Sequence, residues 1–247
     1  MHPYRRLASV DQLTTRPPVE IDLDVSFADD RAIRVHQSAR ENGFALTEQI
    51  GPTPQVYLFG CSHSRHRFDQ EAHLINVFGN TMQAGYIHLS EGSGPLKLSY
   101  DLHSHTDDLI GTLKPFFIDN KIQTMYNDDL GYMVDHSHAT AALNRFISLH
   151  PDYDTHPDYP AIADLCATMM RRRDHSMTDN DLTGIIPLVQ GRADGQEPLA
   201  PDSRIYQVFG LCHAYAGTIT NRLKDAGIGY LSFIARNHGL IGTDMGR

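Results

Sequence analysis

Two short apolar runs closed by glycine, set between stretches of helical spacing, constrain this chain more than any other feature. Residues 55–60 (Gln-Val-Tyr-Leu-Phe-Gly) and 205–210 (Ile-Tyr-Gln-Val-Phe-Gly) are apolar without alternation. Such runs read as strands buried on both faces, the pattern of a sheet covered by helices. Residues 73–80, 122–126, 131–134 and 228–235 are further strand candidates, and 96–100 reads as a strand or a helix start. Helical spacing marks 27–41, with Asn42-Gly43 as its stop, and 107–119, interrupted by Pro115. It also marks 139–149, 160–173 with Pro160 in its first turn, 179–189 broken at Pro187, and 218–225 ended by Gly227. Gly92-Ser93-Gly94-Pro95 and 237–239 read as turns, 151–160 as a loop and 191–201 as an exposed polar segment. The alternation predicts an α/β fold with a mixed, largely parallel central sheet flanked by helices. Residues 1–50 read as an N-terminal arm and helix, and 51–247 as a single α/β domain.

With 247 residues, 40% of them hydrophobic, the chain can bury a sizeable core. Its formal net charge of −9 repels phosphate backbones, so a small-molecule substrate is expected rather than nucleic acid. The one basic run, Arg171-Arg172-Arg173, reads as a solvated helix end. No window reaches the length of apolar sequence that spans a membrane. Three cysteines, Cys61, Cys166 and Cys212, are too few and too odd in number for a disulfide scaffold. They suit a reducing, cytoplasmic setting, and no signal peptide is read at the N-terminus. Cys166 has the spacing of a core position.

Histidine is abundant, at 15 residues, and its spacing points to metal chemistry. Cys61-Ser62-His63-Ser64-Arg65-His66 follows a buried strand, where ligands of α/β sheets bind. A thiolate there can ligate zinc, and Arg65 can hold an anion or lock a carboxylate. In Asp101-Leu102-His103-Ser104-His105-Thr106 the two histidines fall on one side of an extended chain, with Asp101 placed to orient a ring. Asp135-His136-Ser137-His138 lies between a strand-like run and the helix expected from Ala139. The alternative there is a capped helix N-terminus with solvated histidines. Cys212 and His213 follow the 205–210 strand, and on extended backbone only one of them faces a given site. Serine-hydrolase elbows, phosphate loops and dinucleotide fingerprints are absent, and glutamate is scarce after Glu91.

Two families resemble parts of this pattern. Cys61-Ser-His-Ser-Arg65, an apolar run into Gly79-Asn80, and Asp135-His136-Ser-His138 opening the 139–149 helix resemble the plan of the β-carbonic anhydrases. That resemblance implies Zn2+ held by Cys61, His136 and a third ligand from His63, His138 or Cys212. Arg65, His63 and Asp135 would organise the site, and a metal-bound hydroxide would attack carbon dioxide or a similar small electrophile, a lyase reaction. The chain carries His63 where that family has aspartate and Ala139 where it has its second cysteine. Asp101-Leu-His103-Ser-His105-Thr106 resembles the first motif of the polymerase-and-histidinol-phosphatase phosphoesterases, which implies metal binding by His103 and His105. The expectations are therefore a zinc enzyme, a metal-dependent phosphoesterase, or a non-catalytic scaffold that has lost the metal. The arm and the first resemblance imply a homodimer.

Overall fold

The two apolar runs that end in glycine lie side by side at the centre of one sheet. In the computed structural model the described residues are 27–61, 68–83, 86–90, 115–120, 122–126, 128–189, 203–210, 213 and 217–235. They form strands β1 (Phe44–Ile50), β2 (Val56–Cys61), β3 (Ile87–Ser90), β4 (Gln123–Tyr126), β5 (Ile205–Gly210) and β6 (Tyr230–Ala235). The helices are α1 (Asp30–Glu41), α2 (Phe68–Thr81), α3 (Leu130–Leu149), α4 (Tyr159–Asn180), α5 (Ile186–Val189) and α6 (Thr218–Asp225). A π-helical turn, Asp181–Ile185, joins α4 to α5. The six strands take the order β1-β6-β2-β5-β3-β4. All neighbours are parallel except the edge pair β1 and β6. The fold is α/β, with the mixed, largely parallel sheet expected from the sequence.

Each strand residue sends its side chain to one face or the other, and the two faces build separate cores. Tyr57, Phe59, Cys61, Tyr206, Val208 and Phe233 pack under α1 and α2, whose contributions include Val35, Leu74 and Phe78. Val56, Leu58, Ile205, Phe209 and Tyr230 pack under α6 and α5 through Ile219, Leu223 and Ile186. A third, smaller cluster joins α3 to α4 around Leu143, Tyr159 and Cys166. Gly229 has a steric reason: a Cβ there would lie 3.1 Å from the Ile50 carbonyl oxygen, where β6 starts against the end of β1.

Several elements differ from the sequence reading. Residues 73–80 lie in helix α2, not in a strand, because Leu74, Val77 and Phe78 are buried at helical spacing while Asn76, Gly79 and Asn80 are exposed. A short apolar run satisfies both periodicities, and here the helical one holds. Residues 131–134 belong to α3, which starts at Leu130 because the Asp129 carboxylate accepts from the backbone N–H groups of Gly131 (2.8 Å) and Tyr132 (3.2 Å). Helix α4 continues past Arg173 to Asn180. Strands β1 and β3 were not anticipated. Of the 107–119 helix, 115–119 are described and helical. The arm (1–26) and the elements assigned to 92–95, 96–100, 191–201 and 237–239 lie outside the described residues. Among those described, no helix is long and apolar enough to cross a membrane.

Candidate functional site

The chain leaves the C-terminal ends of β2 and β5 in opposite directions. From β2 it passes through α2 to β3, and from β5 through α6 to β6, on the other side. Helices α2 and α6 lie on opposite faces of the sheet, so the carboxyl ends of β2 and β5 mark the place where the connections part to the two faces, the usual ligand position of open α/β sheets. Cys61 pairs with Gly210 at that edge. His213 follows three residues later.

A buried polar cluster stands at His213. Arg173 and Asp174 come from α4, His136 from α3 and Asp128 from the segment after β4. Relative exposures are 0% for Asp174, 2% for His213, 7% for Asp128 and His136, and 8% for Arg173. Nδ1 of His213 is in contact with Oδ1 of Asp174. Nε and Nη2 of Arg173 both donate to Oδ2 of Asp128, at 2.7 Å and 2.6 Å. Nη1 of Arg173 lies 3.3 Å from Nδ1 of His136 and 3.4 Å from Nε2 of His213. The two imidazole rings meet edge to face, 5.9 Å between centroids.

These contacts assign the proton positions. A guanidinium only donates, so the ring nitrogens facing Arg173 are the unprotonated ones. His213 therefore carries its proton on Nδ1 and donates it to Asp174, which leaves the Nε2 lone pair directed away from the carboxylate. A carboxylate on one ring nitrogen and a lone pair on the other is the arrangement of a general base. Oδ2 of Asp174, fully buried, has no hydrogen-bond partner among the described residues.

The residues singled out from the sequence distribute as follows. Cys61 is fully buried at the end of β2, in the core cluster under α1 and α2. Asp135, His136 and His138 lie within α3, not in a strand-end loop. Two positions apart on a helix are about 200° apart in azimuth, so His136 faces inward while His138 and its neighbour Asp135 are exposed. His63, Arg65, Asp101, His103, His105 and Cys212 lie outside the described residues. Cys166 is a core residue as expected, with Thr140 Oγ1 3.5 Å from its sulfur. Arg173 overturns the solvated reading of the basic run: Arg171 and Arg172 are exposed, but Arg173 is inside.

Asp128 and Asp174 were missed altogether. A signal for Asp174 was present, since Ala163, Cys166, Ala167, Met170 and Met177 make a buried stripe on α4. Arg173 and Asp174 interrupt that stripe at helical spacing, and charges on an inward face need partners.

Among the described residues no group of three or more His, Cys, Asp or Glu side chains is placed to hold a metal ion. Nδ1 of His136 and Nε2 of His213 both face the guanidinium of Arg173, a cation that Asp128 anchors. The described cluster does not fit zinc. No family model, curated protein or solved structure matches the chain.

Proposed function

We propose that the chain is an enzyme that works by general acid–base catalysis at the carboxyl ends of β2 and β5, on a small polar substrate. His213 is the proton acceptor and donor, Asp174 holds its tautomer, and Arg173 binds an oxygen of the substrate that gains negative charge. The contact between His213 and Asp174, both buried beside that edge of the sheet, carries this reading. In the resting arrangement Nε2 of His213 accepts weakly from Arg173. A substrate oxygen that takes over the Nη1 donor releases that lone pair to accept a proton. Asp128 keeps the guanidinium in place while this happens. General acid–base assistance of this kind contributes about 10²–10⁴ in rate.

The test is turnover on a panel of acyl esters, phosphomonoesters and carbon dioxide, with His213→Gln and Asp174→Asn alongside. Expected is an activity that falls at least a hundredfold in His213→Gln while cooperative unfolding is retained. An activity indifferent to both substitutions overturns the proposal, and inactivity across the panel favours the non-catalytic reading.

A second reading rests on the pairing of Cys61 with Gly210, two residues before His63 and Cys212 in the sequence. A zinc site drawing on Cys61, His63 and Cys212 would use residues other than the Arg173 cluster. Zinc content of the purified protein that disappears in Cys61→Ala and Cys212→Ala supports it.

A further inference from the structure

Helix α3 buries one side, yet it carries apolar side chains on two. His136, Ala139 and Leu143 are on the buried side, where Ala139 and Leu143 join the small core shared with α4. The opposite side carries Leu130, Val134, His138, Ala141, Arg145 and Leu149, all exposed. At 100° per residue these six fall within about 100° of the helix circumference, so they form one stripe along its length. Leu130 is 58% exposed, Val134 39% and Leu149 63%. Across its 20 residues α3 holds two formal charges, Asp135 and Arg145. Large aliphatic side chains left open on a helix with so few charges mark a surface that another molecule covers.

The spacing of the stripe says what covers it. From Leu130 to Leu149 the intervals are 4, 4, 3, 4 and 4, which read the same in both directions. A second α3 laid antiparallel across the first, with a twofold axis level with the midpoint of Ala139 and Thr140, therefore matches every position of the stripe. Leu130 meets Leu149, Val134 meets Arg145 and His138 meets Ala141. An isologous contact requires this self-complementarity. Ala141, beside the axis, is small enough for two helices to approach closely, and the aliphatic stem of Arg145 covers Val134. The charges agree with the spacing. Asp135, on the flank of the stripe, stands one position from level with Arg145 of the copy, so each half of the interface gains an opposite-charge pair. Within one chain the two residues are about 15 Å apart along the helix, too far to pair.

We propose that the exposed stripe of α3 is the interface of a homodimer in which two α3 helices pack antiparallel. The occupant is a second copy of this chain. The stripe lies on the side of α3 turned away from His136, so it stands or falls independently of the proposed chemistry. His213→Gln is accordingly expected to dimerise as the wild type does.

Sedimentation equilibrium of the full chain over a range of concentrations reads the dimer directly. Expected is a reversible monomer–dimer equilibrium. Ala141→Arg sets like charges on both sides of the axis and is expected to weaken dimerisation at least a hundredfold. Asp135→Arg and Arg145→Asp are each expected to weaken it at least fivefold, and the double reversal to restore it, which a change confined to one chain would not do. All three positions are exposed, and circular dichroism checks that each variant still unfolds cooperatively. Oxidation of Leu130→Cys/Leu149→Cys reads the register. Expected is a covalent dimer from the double variant and none from either single variant. Within one helix the two positions are about 28 Å apart, beyond the reach of an intrachain disulfide. A wild type that sediments as a monomer at every concentration overturns the proposal and leaves the stripe to a different protein. A dimer indifferent to Ala141→Arg and to both charge reversals overturns it as well, because the copies then meet elsewhere. Cross-linking of Leu130→Cys alone, the mark of a parallel pair, does the same.

Discussion

Nδ1 of His213 rests against the carboxylate of Asp174, 39 residues earlier in the chain. The contact ties α4 to the exit of β5, the strand at the centre of the sheet. It joins an αα-hairpin with its own small core to the carboxyl edge of the sheet, where the strand connections part to opposite faces. Arg173, the preceding residue on α4, reaches Asp128 on one side and His136 on the other, so adjacent residues of one helical turn collect three other segments of the chain.

Asp174→Ala leaves the Nδ1–H of His213 buried without its acceptor. The expected loss is about 1–3 kcal/mol of folding stability, the cost of an unmade buried hydrogen bond. Urea unfolding monitored by circular dichroism measures it. Asp174→Asn keeps the shape and an acceptor oxygen, so it is expected to cost less stability than the alanine while lowering any His213-dependent activity. Equal stabilities for wild type and Asp174→Ala would show that the pair is not formed.

Arg173 is the anchor of the cluster, and its removal exposes the cost of the charges it holds. Arg173→Met takes the guanidinium away from the Asp128 carboxylate, whose side chain has 0% exposure, and is expected to cost about 3–5 kcal/mol. Adding Asp128→Leu is expected to recover most of that loss, giving a large coupling in a double-mutant cycle. Arg171→Ala and Arg172→Ala, on the exposed side of the same helix, are expected to stay within about 0.5 kcal/mol of the wild type. Chemical denaturation of six proteins, with Asp128→Leu alone completing the cycle, separates the three arginines.

The contrast among these arginines shows what was legible in the sequence. Strands β2 and β5 were legible because a run apolar on both faces has few other uses, and α6 because Gly227 closes it. The α2 segment was misread because His73 to Asn80 is too short to separate helical from strand spacing. Arg173 was misread because a basic run is usually solvated, and only the phase of α4, fixed by packing against α3 and α6, shows that the third arginine turns inward. Asp128, Asp174 and His213 are far apart in sequence, so only the strand order could bring them together. Of the histidine clusters, the sequence located His136 but placed it at a helix start. The cap supplied by Asp129 moves that start to Leu130 and separates His136 from His138.

The core under α1 and α2 turns on one ring. Phe59 lies edge-on to Phe44 at 5.4 Å and to Phe78 at 5.6 Å, and stacks on Phe233 at 5.1 Å. It joins β2 to β1, α2 and β6 at once. Phe59→Ala is expected to cost about 3–5 kcal/mol, since strands on both sides limit collapse into the void. A calorimetric scan reads this as a large fall in Tm, and a loss below about 1 kcal/mol would mean that the aromatic core is not packed as described.

His36 gives the fold a dependence on mild acid. Its ring lies between Phe27, at 5.6 Å, and Phe233, at 6.5 Å. Burial, assisted by the charge of Arg40, holds its imidazole below the ordinary value. The unfolded chain therefore takes up a proton at His36 first, near pH 6.5, while the folded chain resists it. The stability contributed by the neutral ring is fully present above about pH 6.5 and is lost as the pH falls toward the folded value. Urea midpoints measured from pH 7.5 downward for the wild type and His36→Phe isolate this group from the other histidines. The expected result is that the stability of the wild type relative to the variant declines on acidification, because the phenyl ring keeps its packing and has no proton to bind. Parallel curves would mean that the imidazole is as free to protonate in the folded chain as in the unfolded one.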